Sequence, residues 1–405
     1  GSPVFTLIGG GSILLFAGAG IDSSAVTVEM LRLASLPALI AIPLFTFSGY
    51  MLAESKAPQR MLALAEALFG TLPGGLAIVA LFTTALFTAF TGASGVTIIA
   101  LGGLLYPMLS KQGYPEKFTL GLLTTTGSLG LLFPPSLPII LYGLVAKIDI
   151  DRLFKASLLP GGMLLLALSA YALYTARKAG IKGLPFRMAK LRSSARAAAW
   201  EIPLPFVIIG GIYMGLFTAS EAASVMAFCV LVTEVFIYRD LKLFSDIPRV
   251  AVKSMLLVGA IFMVLGTALG FTSYLIDAEI PKKLFDWLHV YVSSKVVFLL
   301  LLNAFLLVIN MIEIFSAIII VVPIIVPVAA GYGIDPVHLG VIFLLNLEIG
   351  YMLPPLGLNL FLASSRFHKK LPELYRATGP FLLILLAMLA LVTYLPSLSL
   401  IGAGG

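Results

Sequence analysis

The sequence predicts an all-α polytopic membrane protein made of two related halves. Three observations predict it: sparse charge, apolar runs along the whole chain, and a Gly-x-x-x-Pro-Pro motif that occurs twice. Of 405 residues, 60% are hydrophobic and 11% charged, with a mean hydropathy of +1.07. A soluble domain carries about 25% charged residues, so a water-exposed surface of ordinary polarity cannot be built here. Apolar runs such as Leu76 to Phe87, Leu158 to Leu173, Val296 to Ile309 and Phe381 to Leu395 approach the ~20 residues that span a bilayer. Others stop short at glycine or proline. Backbone groups in hydrocarbon need internal partners, which favours helices, and the alternating segments of about 10 residues that build a barrel are absent.

In chain order, Pro3 to Ala19 is a short apolar stretch and is expected to be a truncated helix. With no initiator Met and no basic n-region, no signal peptide is expected. Glu54 to Leu72 carries Glu54, Lys56, Arg60 and Glu66 at helical spacing and reads as an interfacial amphipathic helix without chemistry. Leu76 to Leu105 is interrupted by Thr91-Gly92-Ala93-Ser94-Gly95, which suggests a re-entrant hairpin with its tip at mid-membrane. Arg177 to Arg196 holds seven basic residues and no acidic one, which places it on the cytoplasmic side. Two apolar runs, Ile202 to Phe217 and Ala222 to Ile237, should return the chain to that side before the basic stretch Arg239 to Lys253. Between them, Thr218 and Glu221 have capping-box spacing. Phe298 to Val328, interrupted by Asn310 to Glu313, reads as a second hairpin. Asp335-Pro336 reads as a helix cap with a first-turn proline. Arg366 to Arg376 is a third basic stretch. Cys229 is the single cysteine, so neither a disulfide nor a cysteine metal cluster can form.

The two halves share landmarks. Gly130-Leu-Leu-Phe-Pro134-Pro135 and Gly350-Tyr-Met-Leu-Pro354-Pro355 each close an apolar run. Pro107 precedes Pro134, and Pro327 precedes Pro354, by 27 residues, with Gly113-Tyr114 or Gly331-Tyr332 between them. Proline removes an amide donor and clashes with the preceding turn, costing about 3 kcal/mol or more inside a helix. Glycine lets the backbone unwind. Each motif therefore reads as half-helix, linker and half-helix, tolerable in a membrane only when buried in protein or lining a cavity. Broken segments at matching places in two halves point to a transporter's midplane site. The first half-helices would offer carbonyls to a cation and the second would offer amides to an anion.

Gly92-Ala-Ser-Gly-Val-Thr, Gly113-Tyr114 and Gly127-Ser-Leu-Gly-Leu-Leu-Phe-Pro-Pro-Ser136 resemble the large membrane subunit of tripartite ATP-independent periplasmic (TRAP) transporters. So do Thr218-Ala-Ser-Glu221-Ala-Ala, Asp335-Pro336-Val-His-Leu-Gly340 and Gly350 through Asn359. The resemblance covers essentially the whole chain. It implies an elevator-type, sodium-driven carrier of the bacterial inner membrane with two inverted-topology repeats. It also implies a small four-helix membrane subunit and a soluble periplasmic substrate-binding protein as partners, and a C4-dicarboxylate or similar organic anion as substrate. The repeats would be residues 1–196 and 197–405. Residues 75–176 and 295–405 would form the transport domain; 1–74 and 197–294 would be scaffold, with 177–196 a cytoplasmic loop.

By the same resemblance, sodium would be held mostly by backbone carbonyls: at Gly92, Ala93, Ser94, Gly127, Gly130 and Pro134, and at Asn310, Glu313, Gly350, Met352 and Pro355. The first hairpin reads Gly-Ala-Ser-Gly where relatives often have more serine, and Glu313 stands where many have aspartate. Candidate substrate contacts are Ser94, Thr126, Ser128, Ser136, Glu313 and Asn359. Glu313 also fits a capping role at the hairpin tip, and Glu348 could stand near the second break. Of Thr124, Thr125, Thr126, Ser128 and Ser136, about two are expected to face a cavity, since hydroxyls in membrane helices often bond their own backbone. His289, His338 and His368 lie far apart, and neither HExxH nor Gly-x-Ser-x-Gly occurs, which argues against an enzyme. A stand-alone ion-coupled carboxylate permease is the competing reading.

Overall fold

The computed structural model describes residues 4–92, 94–183, 185–310 and 314–403. Every regular element among them is helical. Seven helices are long and apolar enough to cross a membrane, and up to nine if each bent pair counts as one span.

The chain opens with α1 (Val4–Gly18), α2 (Ser24–Ala34), a 3₁₀ turn at Pro37–Ile40, α3 (Ala41–Glu54) and the amphipathic α4 (Ala57–Phe69). Gly74, at φ +93°, then turns the chain into α5 (Gly75–Thr91). Gly92, at φ +63°, ends that helix, its amide donating to the Thr88 carbonyl at 2.8 Å. Both positions favour glycine because the left-handed region penalises a Cβ. The chain returns as α6 (Ser94–Lys111), completing the first hairpin.

The first broken helix follows. α7 (Glu116–Leu129) tightens into a 3₁₀ turn over Gly130–Leu132, Phe133 is extended, and Pro134-Pro135 is cis. α8 (Leu137–Ala146) then departs at 43°. The proline pair lies in the break itself, ahead of the second half-helix rather than at its first position. α9 (Ile150–Lys178) is a full span.

The second half repeats this order. α15 (Lys295–Ile309) and α16 (Ile314–Gly331) form the hairpin arms, and α17 (Pro336–Gly350) and α18 (Leu358–Phe367) form the broken helix. α19 (Leu371–Tyr394) is the long span, followed by the short α20 (Ser397–Leu400). Pro107, Pro134 and Pro160 recur as Pro327, Pro354 and Pro380, a constant offset of 220 residues. Pro354-Pro355 is also cis. Asp335 caps α17, its carboxylate accepting from the amides of Val337 (2.7 Å) and His338 (3.2 Å).

Between the halves lie α10 (Met188–Ala197), α11 (Pro203–Tyr213), α12 (Ala219–Leu231, continued as a π turn to Ile237), α13 (Asp246–Asp277) and α14 (Ile280–Tyr291). The basic segment expected as a loop thus contains the helix α10, and Lys190 pairs with Glu66 of α4 at 3.0 Å. α11 is only 11 residues, a rise of about 16 Å, less than the ~30 Å of a bilayer core. Its side of the molecule is nevertheless fixed. Arg60 of α4 binds Glu201 just ahead of α11, Glu234 at the end of α12 (2.9 Å) and Asp240 just beyond. Both ends of the α11–α12 excursion therefore lie at one level, as the basic loops require. Thr218 and Glu221 form the expected capping box at the start of α12.

The helices sort by packing. α3 packs against α12 and α13, while α1 and α2 pack against α13. The hairpins and breaks pack crosswise: α6 against α18, and α8 against α16. These two contacts are equivalents under the repeat, since α6 matches α16 and α8 matches α18. The second hairpin is splayed. Its arms and α14 border an apolar cleft of about 430 Å³ lined by residues such as Leu284, Leu288, Leu302, Phe305 and Ile324.

Candidate functional site

The first hairpin is docked on the first break. The buried Thr88 hydroxyl donates to the Gly127 carbonyl at 2.9 Å and lies 2.6 Å from the Thr97 hydroxyl on the other arm. The proton that Thr88 gives to Gly127 leaves Thr97 to donate in that pair. Glycine permits the approach. A Cβ on Gly130 would stand 2.2 Å from the Ala85 carbonyl oxygen, one on Gly127 would meet Ile98 at 2.4 Å, and one on Gly92 would meet Leu137 at 2.5 Å. The fold thus gathers Gly92, Gly127 and Gly130 with the buried Ser94. Pro134 is buried and borders a small apolar gap with Phe154, Leu158 and Ile212. Ala93 lies outside the described residues.

The second set is built the same way. A Cβ on Gly350 would stand 2.6 Å from the Asn310 carbonyl oxygen, so the hairpin tip rests on the break. Asn310 is fully buried, and its side-chain oxygen and nitrogen have no partner among the described residues. Glu313 lies outside the described residues, so neither of its expected roles is placed. Met352 is buried. Pro355 is exposed, and its carbonyl accepts from the Tyr375 hydroxyl at 3.3 Å. The halves differ here: Pro134 and Pro135 are buried, whereas Pro354, Pro355 and Leu356 are exposed. The first break is sealed and the second reaches the surface.

The candidate substrate residues divide by their partners. Asn359, fully buried in α18, donates to the Ser128 hydroxyl at 2.9 Å and to the Thr124 carbonyl at 3.2 Å, joining the second break to the first broken helix. Its side-chain oxygen has no partner among the described residues. Ser136 donates to the Leu131 carbonyl at 2.6 Å, bridging the break, and Thr124 bonds back to the Leu120 carbonyl at 2.7 Å. The Thr125 and Thr126 hydroxyls are buried without partners among the described residues. Unpaired buried polar groups cost about 1–3 kcal/mol each. Their concentration beside both breaks marks a place where a ligand can supply the missing partners.

Sequence reasoning missed the Thr88–Thr97–Gly127 contact. It also missed a buried chain in which Asn346 donates to Asn303 (2.7 Å) and Asn303 to Thr393 (3.1 Å). Polar residues inside apolar runs were the signal that could have found both. The amphipathic helix α4, expected to carry no chemistry, holds the Arg60 ion cluster. Among the described residues, an all-helical body with seven or more apolar spans, and two hairpins docked on two broken helices, defines a multi-pass membrane protein.

The chain belongs to the family described as the tripartite ATP-independent periplasmic transporter, DctM component, whose model matches residues 1–398. It is similar to the C4-dicarboxylate TRAP transporter large permease proteins DctM of Pseudomonas aeruginosa and Rhodobacter capsulatus. The first is 36% identical over 97% of this chain and 92% of the relative, and the second 37% over 89% and 86%. The isethionate TRAP transporter permease protein DctMQ of Oleidesulfovibrio alaskensis is 33% identical over 90% of this chain and 58% of that longer protein. The fold also matches the crystal structure of the Alcanivorax borkumensis YdaH transporter, with TM-score 0.68 and 15% identity, covering 91% of this chain and 87% of that one. The chain is thus a large permease component, a multi-pass protein of the inner membrane.

Proposed function

We propose that this chain carries out sodium-driven uptake of a small organic anion, favouring a C4-dicarboxylate, delivered by a soluble periplasmic binding protein. A small membrane subunit completes the assembly. The observation that carries the reading is the docking of each hairpin on its own break, with unpaired buried polar atoms at both places. Backbone carbonyls gathered at a helix end suit a hard monovalent cation. The N-termini of α8 and α18, with the Thr125 and Thr126 hydroxyls, suit a carboxylate without a buried Lys or Arg. The similarity to two C4-dicarboxylate permeases favours that substrate, while the isethionate relative shows that the family's substrates vary. The hairpins and breaks would move as one body against α1–α3 and α11–α13, an elevator.

The test is uptake of labelled succinate into proteoliposomes holding this chain and its small subunit, with and without a sodium gradient and the cognate binding protein. Uptake that needs both supports the reading. Uptake without the binding protein means a stand-alone permease, and sodium independence removes the carbonyl cation sites.

A further inference from the structure

The two hairpins differ in how their arms meet. α5 and α6 pack directly on one another, whereas the described residues of α15 and α16 stand apart around the apolar cleft. The repeat offset of 220 residues sets Phe305 and Ile309 of α15 where α5 carries Ala85 and Ala89. Both larger side chains border the cleft. The second hairpin is thus built open by its own sequence.

The cleft is a slot of about 430 Å³, and every described residue that lines it is aliphatic or Phe. It follows α15 from Phe298 to Ile309 and α16 from Ile320 to Val328, about 16 Å and 12 Å at the rise of a helix. One leaflet is about 15 Å deep, half of the hydrocarbon core. The slot therefore reaches from α14 to the hairpin tip, one leaflet in depth. Water does not settle there, because it needs about two to four polar partners. A void left empty would forfeit the contacts of its walls. The outer side of α15 exposes Leu300 and Val308, so the medium beside the slot at this depth is lipid.

α14 closes the interfacial end of the slot with Leu284 and Leu288. Beside them, at helical spacing, Trp287 and Tyr291 are exposed and touch, their ring centres 5.6 Å apart. Exposed Trp and Tyr belong at the level of lipid headgroups. Lys282 and Lys283 share this helix with Asp286, and Glu279 caps it, a mixture of signs that complements a zwitterionic headgroup. α13 starts in the basic cytoplasmic stretch and ends at α14, which sets the mouth of the slot on the periplasmic side. We propose that the slot between α14, α15 and α16 binds one acyl chain of a zwitterionic phospholipid from the periplasmic leaflet. The chain lies between the two arms and holds the second hairpin open. The site depends on neither sodium nor the transported substrate.

The experiment is native mass spectrometry of the detergent-purified protein, as wild type, Ile324→Trp and Leu256→Trp. Ile324 lines the slot, and Leu256 is exposed on α13. Wild type and Leu256→Trp should keep one phospholipid per chain after the remaining lipid is stripped, and Ile324→Trp should keep it at least fivefold less. No retained phospholipid in wild type, an adduct of detergent mass only, or equal retention in Ile324→Trp overturns the proposal. So does loss of the lipid when the small membrane subunit is bound, which would assign the slot to that partner. Should Ile324→Trp fail to purify as a single species, wild type is irradiated in vesicles containing phosphatidylethanolamine with a photoactivatable group in its acyl chain. Label on Leu302 and Val321, which are buried and line the slot, supports the site. Label confined to exposed positions such as Leu300 and Val308 overturns it. Neither readout involves uptake, so a chain that does not carry succinate still decides the question.

Discussion

The Asn359 side-chain amide donates to the Ser128 hydroxyl at 2.9 Å, so a residue just past the second helix break is held by the half-helix that leads into the first. A second bond from the same amide to the Thr124 carbonyl, at 3.2 Å, fixes the side chain. This is a direct polar link between the two broken helices, beside the one from the Tyr142 hydroxyl of α8 to the Pro336 carbonyl of α17 at 3.2 Å. Replacing Asn359 with Leu leaves the Ser128 hydroxyl and the Thr124 carbonyl without their donor, a penalty of about 1–3 kcal/mol. Uptake of labelled substrate should fall tenfold or more, with a smaller loss for Ser128→Ala, while both variants purify as single species. Unchanged uptake in Asn359→Leu would show that the link plays no part in transport.

Arg60 is the pin between the amphipathic helix and the α11–α12 hairpin. Its guanidinium binds Glu201, Glu234 and Asp240 and lies 3.9 Å from the centre of the Tyr238 ring. Glu234 is fully buried. Removing one partner of a buried ionic group costs about 3–5 kcal/mol, because the remaining charges are left uncompensated. Arg60→Ala should therefore lower the thermal unfolding midpoint well below wild type. Arg60→Lys should recover only part of it, since an ammonium cannot reproduce the guanidinium's several directed donors. A midpoint equal to wild type in Arg60→Ala would contradict the cluster's structural role.

Gly130 and Gly350 admit the hairpins. Alanine at 130 would place a methyl 2.2 Å from the Ala85 carbonyl oxygen, and at 350 a methyl 2.6 Å from that of Asn310. Overpacking of this kind costs about 1–3 kcal/mol, and the strain falls on the docking of tip against break. Each substitution should weaken the sodium dependence of uptake, shifting its half-saturating concentration upward several-fold. An unaltered sodium curve in both variants would separate the breaks from cation binding.

Much of this was legible locally. The breaks at Gly130–Pro135 and Gly350–Pro355 could be placed because proline and glycine act on the backbone where they stand. Asp335 and the Thr218–Glu221 pair could be read as caps because capping is a matter of two or three residues. What escaped depends on distant residues meeting. Thr88 finds Gly127 across 39 positions, and the Arg60 cluster gathers residues 60, 201, 234 and 240. A single inward arginine does not disturb an amphipathic pattern, so α4 read as a plain surface helix. The contrast between the sealed first break and the exposed second one also had no local signal, because both motifs carry the same spacing.

The account turns on the hairpins and breaks moving together against the remaining helices. Leu52 of α3 and Phe87 of α5 border one narrow apolar gap between those two bodies. The decisive measurement is succinate uptake by a Leu52→Cys, Phe87→Cys pair in a Cys229→Ala background, before oxidation, after it, and after reduction. The account predicts uptake that is lost on cross-linking and restored by reductant. Full uptake with the cross-link formed would contradict it.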